Sequence, residues 1–481
     1  MQSCFQGISP ISLRRVLPEA EIFGADDFVM LNCVTDIEKL RPHDVFFAIR
    51  ERDTAAGPGA DTHQQIPEAL NRGAGAVVSE DMTENPFLMN PDGKLVPLFL
   101  VKNSKSAYSR ACQALYRFPG KSLNMIGITG TMGKTMTSYL VAAILGMAGN
   151  GVGMIGSIGC FDGLDASANP IPNLPPKRTS SWLSRMYQND CSNAVVEISS
   201  QALALSRLDG MSFETVCLTN LLSAHLDYHG SIESYRRAKM RIFEYLTPDG
   251  MAVLNADDPL VSDVTNWLDI PVLTYGIHAS ADVSATVLEQ FPSEQTILLT
   301  AGTETLPMRT AIVGNHHIYN CLAAATIGLR LGIDLTTIVR GIESVDFIPG
   351  RMERIECGQP FRVYVDAART PEELKSTLQF LREVTPGKVH LVLGTCGNSS
   401  PQQRPALGNT AARYADFVTL SDGNPGTVLP SDLMNDVLRG VQSRFLSRVT
   451  VCHRRQAAIV QTLETARPGD TVLIAGRGCR R

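Results

Sequence analysis

The apolar positions of this chain fall in short runs, each closed by turn residues. Val45–Ile49 (VFFAI) is a short apolar run that reads as a strand, and Ala76–Ser79 (AVVS) reads as another. Ile66–Gly73 reads as a helix between them and Ser104–Phe118 as a helix after them, with Pro119-Gly120 as a boundary. From Leu123 a strand–loop–helix pattern repeats. Met125–Thr129, Ala194–Ile198 (AVVEI) and Thr215–Thr219 (TVCLT) read as buried strands. Thr135–Met147 and Ile232–Tyr245 read as helices. A second boundary falls at Phe347–Gly350, after which Val363–Asp366, Val389–Gly394 and Thr471–Ala475 read as strands. Thr370-Pro371-Glu372-Glu373 is a capping box with proline at the first helical position, opening a helix to Val384. Strands alternating with helices predict an α/β fold with mostly parallel, doubly wound sheets. The boundaries predict three domains, 1–117, 118–348 and 349–481.

Composition changes this picture little. The 481 residues are 44% hydrophobic and 19% charged, with a formal net charge of −5. No block of Lys and Arg stands out, which argues against a nucleic-acid partner. Eleven cysteines are scattered from Cys4 to Cys479 without a CxxC pair, the spread of reduced thiols in a cytoplasmic enzyme. MQSCFQGISPISLRR lacks the apolar core of a signal peptide, and the longest apolar stretch, around Tyr139–Gly146, is too short to span a bilayer.

The candidate chemistry begins at Gly127-Ile-Thr-Gly130-Thr131-Met-Gly133-Lys134-Thr135, between a strand and a helix. Glycines let successive N–H groups turn toward phosphate oxygens, and the helix N-terminus adds its positive end. Lys134 would sit on the β- and γ-phosphates and the Thr135 hydroxyl on Mg²⁺. Ile128 stands where the strict GxxxxGK[ST] pattern has its first glycine. The bland alternative is a glycine-rich turn with an exposed lysine.

Gly130-Thr-Met-Gly-Lys-Thr135 resembles the GTNGKT loop of the Mur ligases, and further motifs follow in order. Glu197-Ile-Ser-Ser-Gln-Ala-Leu203 is similar to EVSSHAL, and Thr219-Asn220 with His225-Leu-Asp-Tyr-His-Gly230 to TN…HLDYHG. Ala238-Lys239, Gly314–Asn320 (GNHHIYN), Pro349–Glu353 (PGRME) and Asp366–Pro371 (DAARTP) complete the series. HLDYHG with its downstream AK, and PGRME, resemble the MurE type. The resemblance implies a three-domain architecture: a UDP-substrate domain, a central P-loop-type ATP domain and a Rossmann-like amino-acid domain. It implies an ATP-dependent ligase that adds an amino acid of the diaminopimelate or lysine type to UDP-N-acetylmuramoyl-L-Ala-D-Glu through an acyl phosphate. That places the chain in peptidoglycan synthesis, and so in cell-wall biogenesis, cell shape and division. A monomer in the cytoplasm is expected, without membrane insertion.

The resemblance also distributes roles. Gly130, Thr131, Gly133, Lys134 and Thr135 would hold the ATP phosphates, and Asn320, Arg351 and Asp366 the nucleotide. Thr135 and Glu197 would hold Mg²⁺. Lys239, carbamylated in the family, would hold a second Mg²⁺; that change needs a neutral amine and so a partly desolvated site. His225 would support metal and substrate phosphate, and Ser199 and Arg207 would contact the muramyl peptide. From the residues alone, Lys239 reads as a surface helix lysine, His225 as a structural histidine, and Asn320 and Asp366 as caps or turn residues.

The departures are specific. Met132 replaces the loop Asn, Gln201 the His of SSH, Ala224 the Asp before His225, and His317 an Asn on the adenine side. DYAHTP reads Asp366-Ala-Ala-Arg369-Thr-Pro, and the uridine-contacting DSR reads Asp36-Ile-Glu38. The TTP segment has its nearest candidate in Arg178-Thr-Ser-Ser181. DNPR, which selects diaminopimelate, reads Asp422-Gly-Asn-Pro-Gly426, and GKGHE reads Gly476-Arg-Gly-Cys-Arg480. Arg369, Arg404, Arg477, Arg480 and Arg481 could form a basic pocket for an anionic acceptor. These changes keep two alternatives open: a ligase with another donor or acceptor, and a nucleotide-binding paralogue, catalytically impaired, that regulates or scaffolds.

Overall fold

The computed structural model describes residues 10–50, 61–83, 85–222, 226–265, 268–397, 401, 403–426 and 428–478. Its contacts group into two compact units. The first comprises Met1–Thr129, Asn150–Val216 and Arg236–Met251; the second comprises Gly130–Gly149, Cys217–Tyr235 and Ala252–Arg481.

In the first unit, five strands order as Glu21–Phe23, Leu98–Leu100, Ala76–Ser79, Val45–Phe47 and Cys33–Val34. All neighbours are parallel except the Glu21–Phe23 edge. The unalternating apolar runs are explained by cover on both faces. Val45, Phe47, Val78 and Phe99 pack with Ala107, Ala111 and Leu115 of the helix Ser104–Leu115. Phe46, Val77 and Leu98 pack with Ile66, Ala69 and Leu70 of the helix Ile66–Asn71. The same unit holds the parallel strands Val152–Ile155, Asn193–Glu197 and Asn124–Thr129, with Ile128 in register with Glu197. The register therefore places Glu197 at the carboxyl end of its strand.

In the second unit, the helix Lys134–Met147 packs against Asn315–Arg330 and Leu335–Glu343. At Gly341 a Cβ would meet the Ile144 backbone at 2.6 Å, so only glycine allows this approach. Val283–Gln290, Gln295–Ala301 and Glu304–Thr310 form an antiparallel meander that sequence patterning did not single out. Only part of Val283–Gln290 is buried, so its apolar alternation fades after Ala285. The last sheet runs Glu353–Ile355, Arg362–Val365, Thr471–Ala475, Val389–Cys396, Phe417–Asn424, Val449–Cys452, parallel except for the first strand.

Most element boundaries agree with the sequence reading to within a few residues. One helix differs: Ile232–Met240 is α-helical, and Arg241–Tyr245 continues as 3₁₀. The capping box forms as expected. Thr370 Oγ1 accepts from Glu373 N at 3.2 Å, and Glu373 Oε2 accepts from Thr370 N at 3.2 Å, opening the helix Pro371–Val384. Thr370→Ala should cost about 1 kcal/mol locally. Hydrogen exchange in the first turn of that helix should accelerate roughly fivefold, and unchanged exchange would deny the cap its role.

Candidate functional site

In the second unit, the loop following Thr129 is built on two glycines that no other residue could replace without strain. Gly130 has φ +146° and Gly133, the N-cap of the helix Lys134–Met147, φ +85°. A Cβ on Gly130 would run into the Thr219 hydroxyl, and one on Gly133 into Asn320 Oδ1. The loop backbone is held from outside. Thr131 N donates to Asn220 O at 3.1 Å and to its Oδ1 at 3.0 Å, and Met132 N donates to the same Oδ1 at 2.9 Å. Met132 O accepts from Thr219 Oγ1 at 2.6 Å and Asn220 Nδ2 at 3.2 Å. Thr131 Oγ1 donates to Leu222 O at 3.2 Å and lies 2.8 Å from the buried Tyr235 hydroxyl.

Lys134 Nζ folds back onto the loop, donating to Gly130 O and Thr131 O at 3.0 Å each. The buried Thr135 Oγ1 accepts from Arg351 at 3.2 Å. Thus Arg351, more than 200 positions away in sequence, reaches the start of the loop helix. Asn320 is buried beside the same helix, its Nδ2 3.4 Å from Met136 Sδ and its Oδ1 accepting from Thr137 Oγ1 at 3.4 Å. Asp366 is buried at the end of Arg362–Val365 and accepts from Met352 N at 2.9 Å and Ala368 N at 2.8 Å. Burial raises its carboxyl above the usual range, against the opposing pull of Arg351 and those two N–H groups.

One departure and one pocket candidate resolve here as structural. His317 points into the core: its Nε2 lies 3.1 Å from Thr310 Oγ1 and 3.3 Å from Cys321 Sγ. Burial, with His316 beside it, lowers it to about 3, so it is neutral. Arg404, expected in a basic pocket, is instead buried and donates to Asp436 at 2.9 Å and Gly397 O at 3.0 Å. A guanidinium committed in this way is a brace, not a surface clamp. Arg480 and Arg481 lie outside the described residues.

In the first unit, Glu197 is 8% exposed and its Oε2 accepts from Ser157 N at 2.9 Å. Lys239 is 1% exposed, which corrects the bare-sequence reading of a surface lysine. Its Nζ lies 3.4 Å from Thr129 Oγ1, which donates to Ile198 O at 2.9 Å. Lys239 is thereby tied to the residue following Glu197. Among the described residues no three His, Cys, Asp or Glu side chains gather as a metal cluster. The Thr135 hydroxyl and the Glu197 carboxylate, each in its own unit, are hard oxygen donors of the kind that suits Mg²⁺, which usually keeps waters and phosphate oxygens as its other ligands. His225 lies outside the described residues.

Ser199 caps the helix Ser200–Ala204 through Ala202 N at 3.0 Å and donates to Asn173 Oδ1 at 2.9 Å. Asn173 also donates to Gln201 Oε1, and its carbonyl accepts from Arg207 at 2.8 Å. Asn173 therefore gathers Ser199, Gln201 and Arg207 in one place, and sequence reasoning missed it. Its signal was an Asn, tolerant of left-handed backbone, in the proline-rich run Pro170–Pro176; its φ is +58°. The segment read as the nearest TTP candidate lies in a helix. Thr179 and Ser180 are buried in Pro176–Gln188 and donate to Pro175 O at 3.1 Å and Pro176 O at 2.8 Å. Asp36 is likewise a cap, accepting from Glu38 N at 3.0 Å and Lys39 at 2.6 Å.

Residues 128–328 match the model of the Mur ligase middle domain, and 350–478 that of the Mur ligase glutamate ligase domain. The chain is 34% identical over 465 residues to the UDP-N-acetylmuramoyl-L-alanyl-D-glutamate--2,6-diaminopimelate ligase of Geobacillus thermodenitrificans, covering 95% of this chain and 91% of that one. It is 33% identical over 467 residues to the UDP-N-acetylmuramyl-tripeptide synthetase of a Roseiflexus species, covering 92% and 89%. A solved structure of a UDP-N-acetylmuramoyl-L-alanyl-D-glutamate--2,6-diaminopimelate ligase superposes with a TM-score of 0.66 at 25% identity, covering 98% of this chain and 94% of that one.

Proposed function

Because the chain belongs to the Mur ligase family, we propose that it joins an amino acid to UDP-N-acetylmuramoyl-L-Ala-D-Glu at the expense of ATP. The observation that carries this reading is the glycine-built loop with Lys134 and Thr135 opening a helix, in a chain similar along its length to ligases named for that reaction. The acceptor is of the diaminopimelate or lysine type; one relative's name specifies diaminopimelate and the other's leaves the residue open.

The reaction transfers the γ-phosphoryl group of ATP to the substrate carboxylate, giving an acyl phosphate and ADP. The acceptor amine then attacks the acyl carbon, loses a proton, and expels phosphate as the amide forms. Lys134 and the N–H groups at the start of its helix draw charge from the phosphates. Asp366 accepts from ribose hydroxyls, and Asn320 and Arg351 hold the nucleotide beside the loop helix. Ser199 and Arg207 bind the muramyl peptide, a guanidinium being suited to carboxylate or phosphate. Thr135, Glu197 and a carbamylated Lys239 are the residues that would hold Mg²⁺, and the resemblance gives His225 the role of supporting metal and substrate phosphate. Bound Mg²⁺ supplies neutralisation of the charge shared between phosphate and carboxylate. Carbamylation joins the Lys239 amine to CO₂ with loss of one proton, and Lys239 is buried. The protein works in the cytoplasm, in synthesis of the peptidoglycan precursor, and through it in cell shape and division.

Phosphate release is the test. With MgATP and UDP-N-acetylmuramoyl-L-Ala-D-Glu, release should require both the nucleotide peptide and one acceptor from a panel of amino acids. ATP binding without release under any combination would favour the impaired paralogue, and release with a different nucleotide peptide would favour another donor.

A further inference from the structure

Thr219 and Asn220 have no role in the reaction just described, yet together they make five hydrogen bonds to the backbone of the phosphate loop. We infer that they are positioning residues that set the loop's geometry and through it the affinity for MgATP, an inference that rests on the phosphate-loop reading.

The loop is irregular and pivots on two glycines, so an unheld backbone would sample many shapes. Asn220 removes that freedom with one side chain and one carbonyl: its Oδ1 accepts from both Thr131 N and Met132 N, its Nδ2 donates to Met132 O, and its main-chain oxygen accepts from Thr131 N. Thr219 Oγ1 adds a second donor to Met132 O. In a trans peptide the C=O and the following N–H point in opposite directions. Fixing Met132 O toward Thr219 and Asn220 therefore turns the Gly133 N–H away from them. The pair is itself anchored on both sides: Asn255 Nδ2 donates to Thr219 O at 3.1 Å, and Asp258 Oδ2 accepts from Leu221 N at 2.9 Å. Thr219 is also the residue that leaves Gly130 no room for a side chain.

The experiment is calorimetric titration of the full chain with MgATP, with KM measured for each substrate. Asn220→Ala should weaken MgATP about 10- to 100-fold, as expected for losing two or three such hydrogen bonds. KM for the nucleotide peptide and the amino acid should stay at the parent values, and the binding stoichiometry in the titration should match the parent's, which a misfolded fraction would lower. Thr219→Val should weaken MgATP roughly fivefold, while Thr219→Ser, which keeps the hydroxyl, restores it. Lys134→Ala separates the two claims. If it abolishes binding while Asn220→Ala stays within twofold of the parent, the positioning inference is overturned alone. If Lys134→Ala binds MgATP like the parent, the phosphate-loop reading falls and the inference with it. Should Asn220→Ala fail to fold, equal affinities for Thr219→Val and Thr219→Ser overturn the inference.

Discussion

Lys134→Ala should lower ATP-dependent turnover by about three orders of magnitude, the scale set by removing a charged donor from a developing phosphoryl or oxyanion charge. Lys134 Nζ lies 3.0 Å from Gly130 O and from Thr131 O, so the ammonium is already held against the loop. An ammonium has three donors, enough to span loop carbonyls and a phosphate oxygen together. Alanine removes the only charge within Gly130–Thr135 and leaves the glycine geometry intact. Phosphate release and MgATP affinity should fall together while thermal stability changes little. Full ligation by the variant would refute the assignment of this loop to phosphate.

On the proposed carbamate role, Lys239→Ala should lower turnover by about two to three orders of magnitude, because an anion that would help hold Mg²⁺ is lost. The reason lies in where the lysine sits. It is buried beside Thr129, whose hydroxyl bonds to the residue after Glu197. A carbamate there is an anion, so short carboxylates such as formate or acetate should restore part of the activity of Lys239→Ala. Rescue separates this role from mere packing, because a carboxylate does not refill an alkyl stem. A Lys239→Ala enzyme with parental activity would show that no carbamate is used, and a dead enzyme without rescue would reduce Lys239 to a structural part.

The sequence made the fold legible where local pattern and burial agree. Continuous apolar runs such as Val45–Phe47 marked strands, and the Thr370 capping box located a helix start to the residue. The meander from Val283 to Thr310 stayed hidden although Gln295–Ala301 buries alternate residues as far as Leu299: polar Gln295 takes one inward position and apolar Leu298 one outward position, and the alternation of Val283–Gln290 ends at Ala285. At the site, the loop glycines Gly130 and Gly133 and the helix start at Lys134 were readable because a tight strand-to-helix turn demands glycine. Asn173 was not, since its importance arises from three partners 26 to 34 positions away in sequence. Arg404 was misread for the complementary reason: an arginine's exposure depends on a carboxylate elsewhere in the chain, here Asp436. Lys239 shows both limits. As a residue type it suggested a solvated helix face, the resemblance suggested a metal-holding anion, and burial of its side chain is what the second reading needs.

Mass analysis of the product tests the central claim most directly. The full chain is incubated with UDP-N-acetylmuramoyl-L-Ala-D-Glu, MgATP and an equimolar mixture of amino acids that includes diaminopimelate and lysine. The account predicts one new species, equal in mass to the nucleotide peptide plus one acceptor minus water, formed in step with ADP. ATP bound without any such species, or ATP hydrolysed at the same rate whether or not the nucleotide peptide is present, would contradict it.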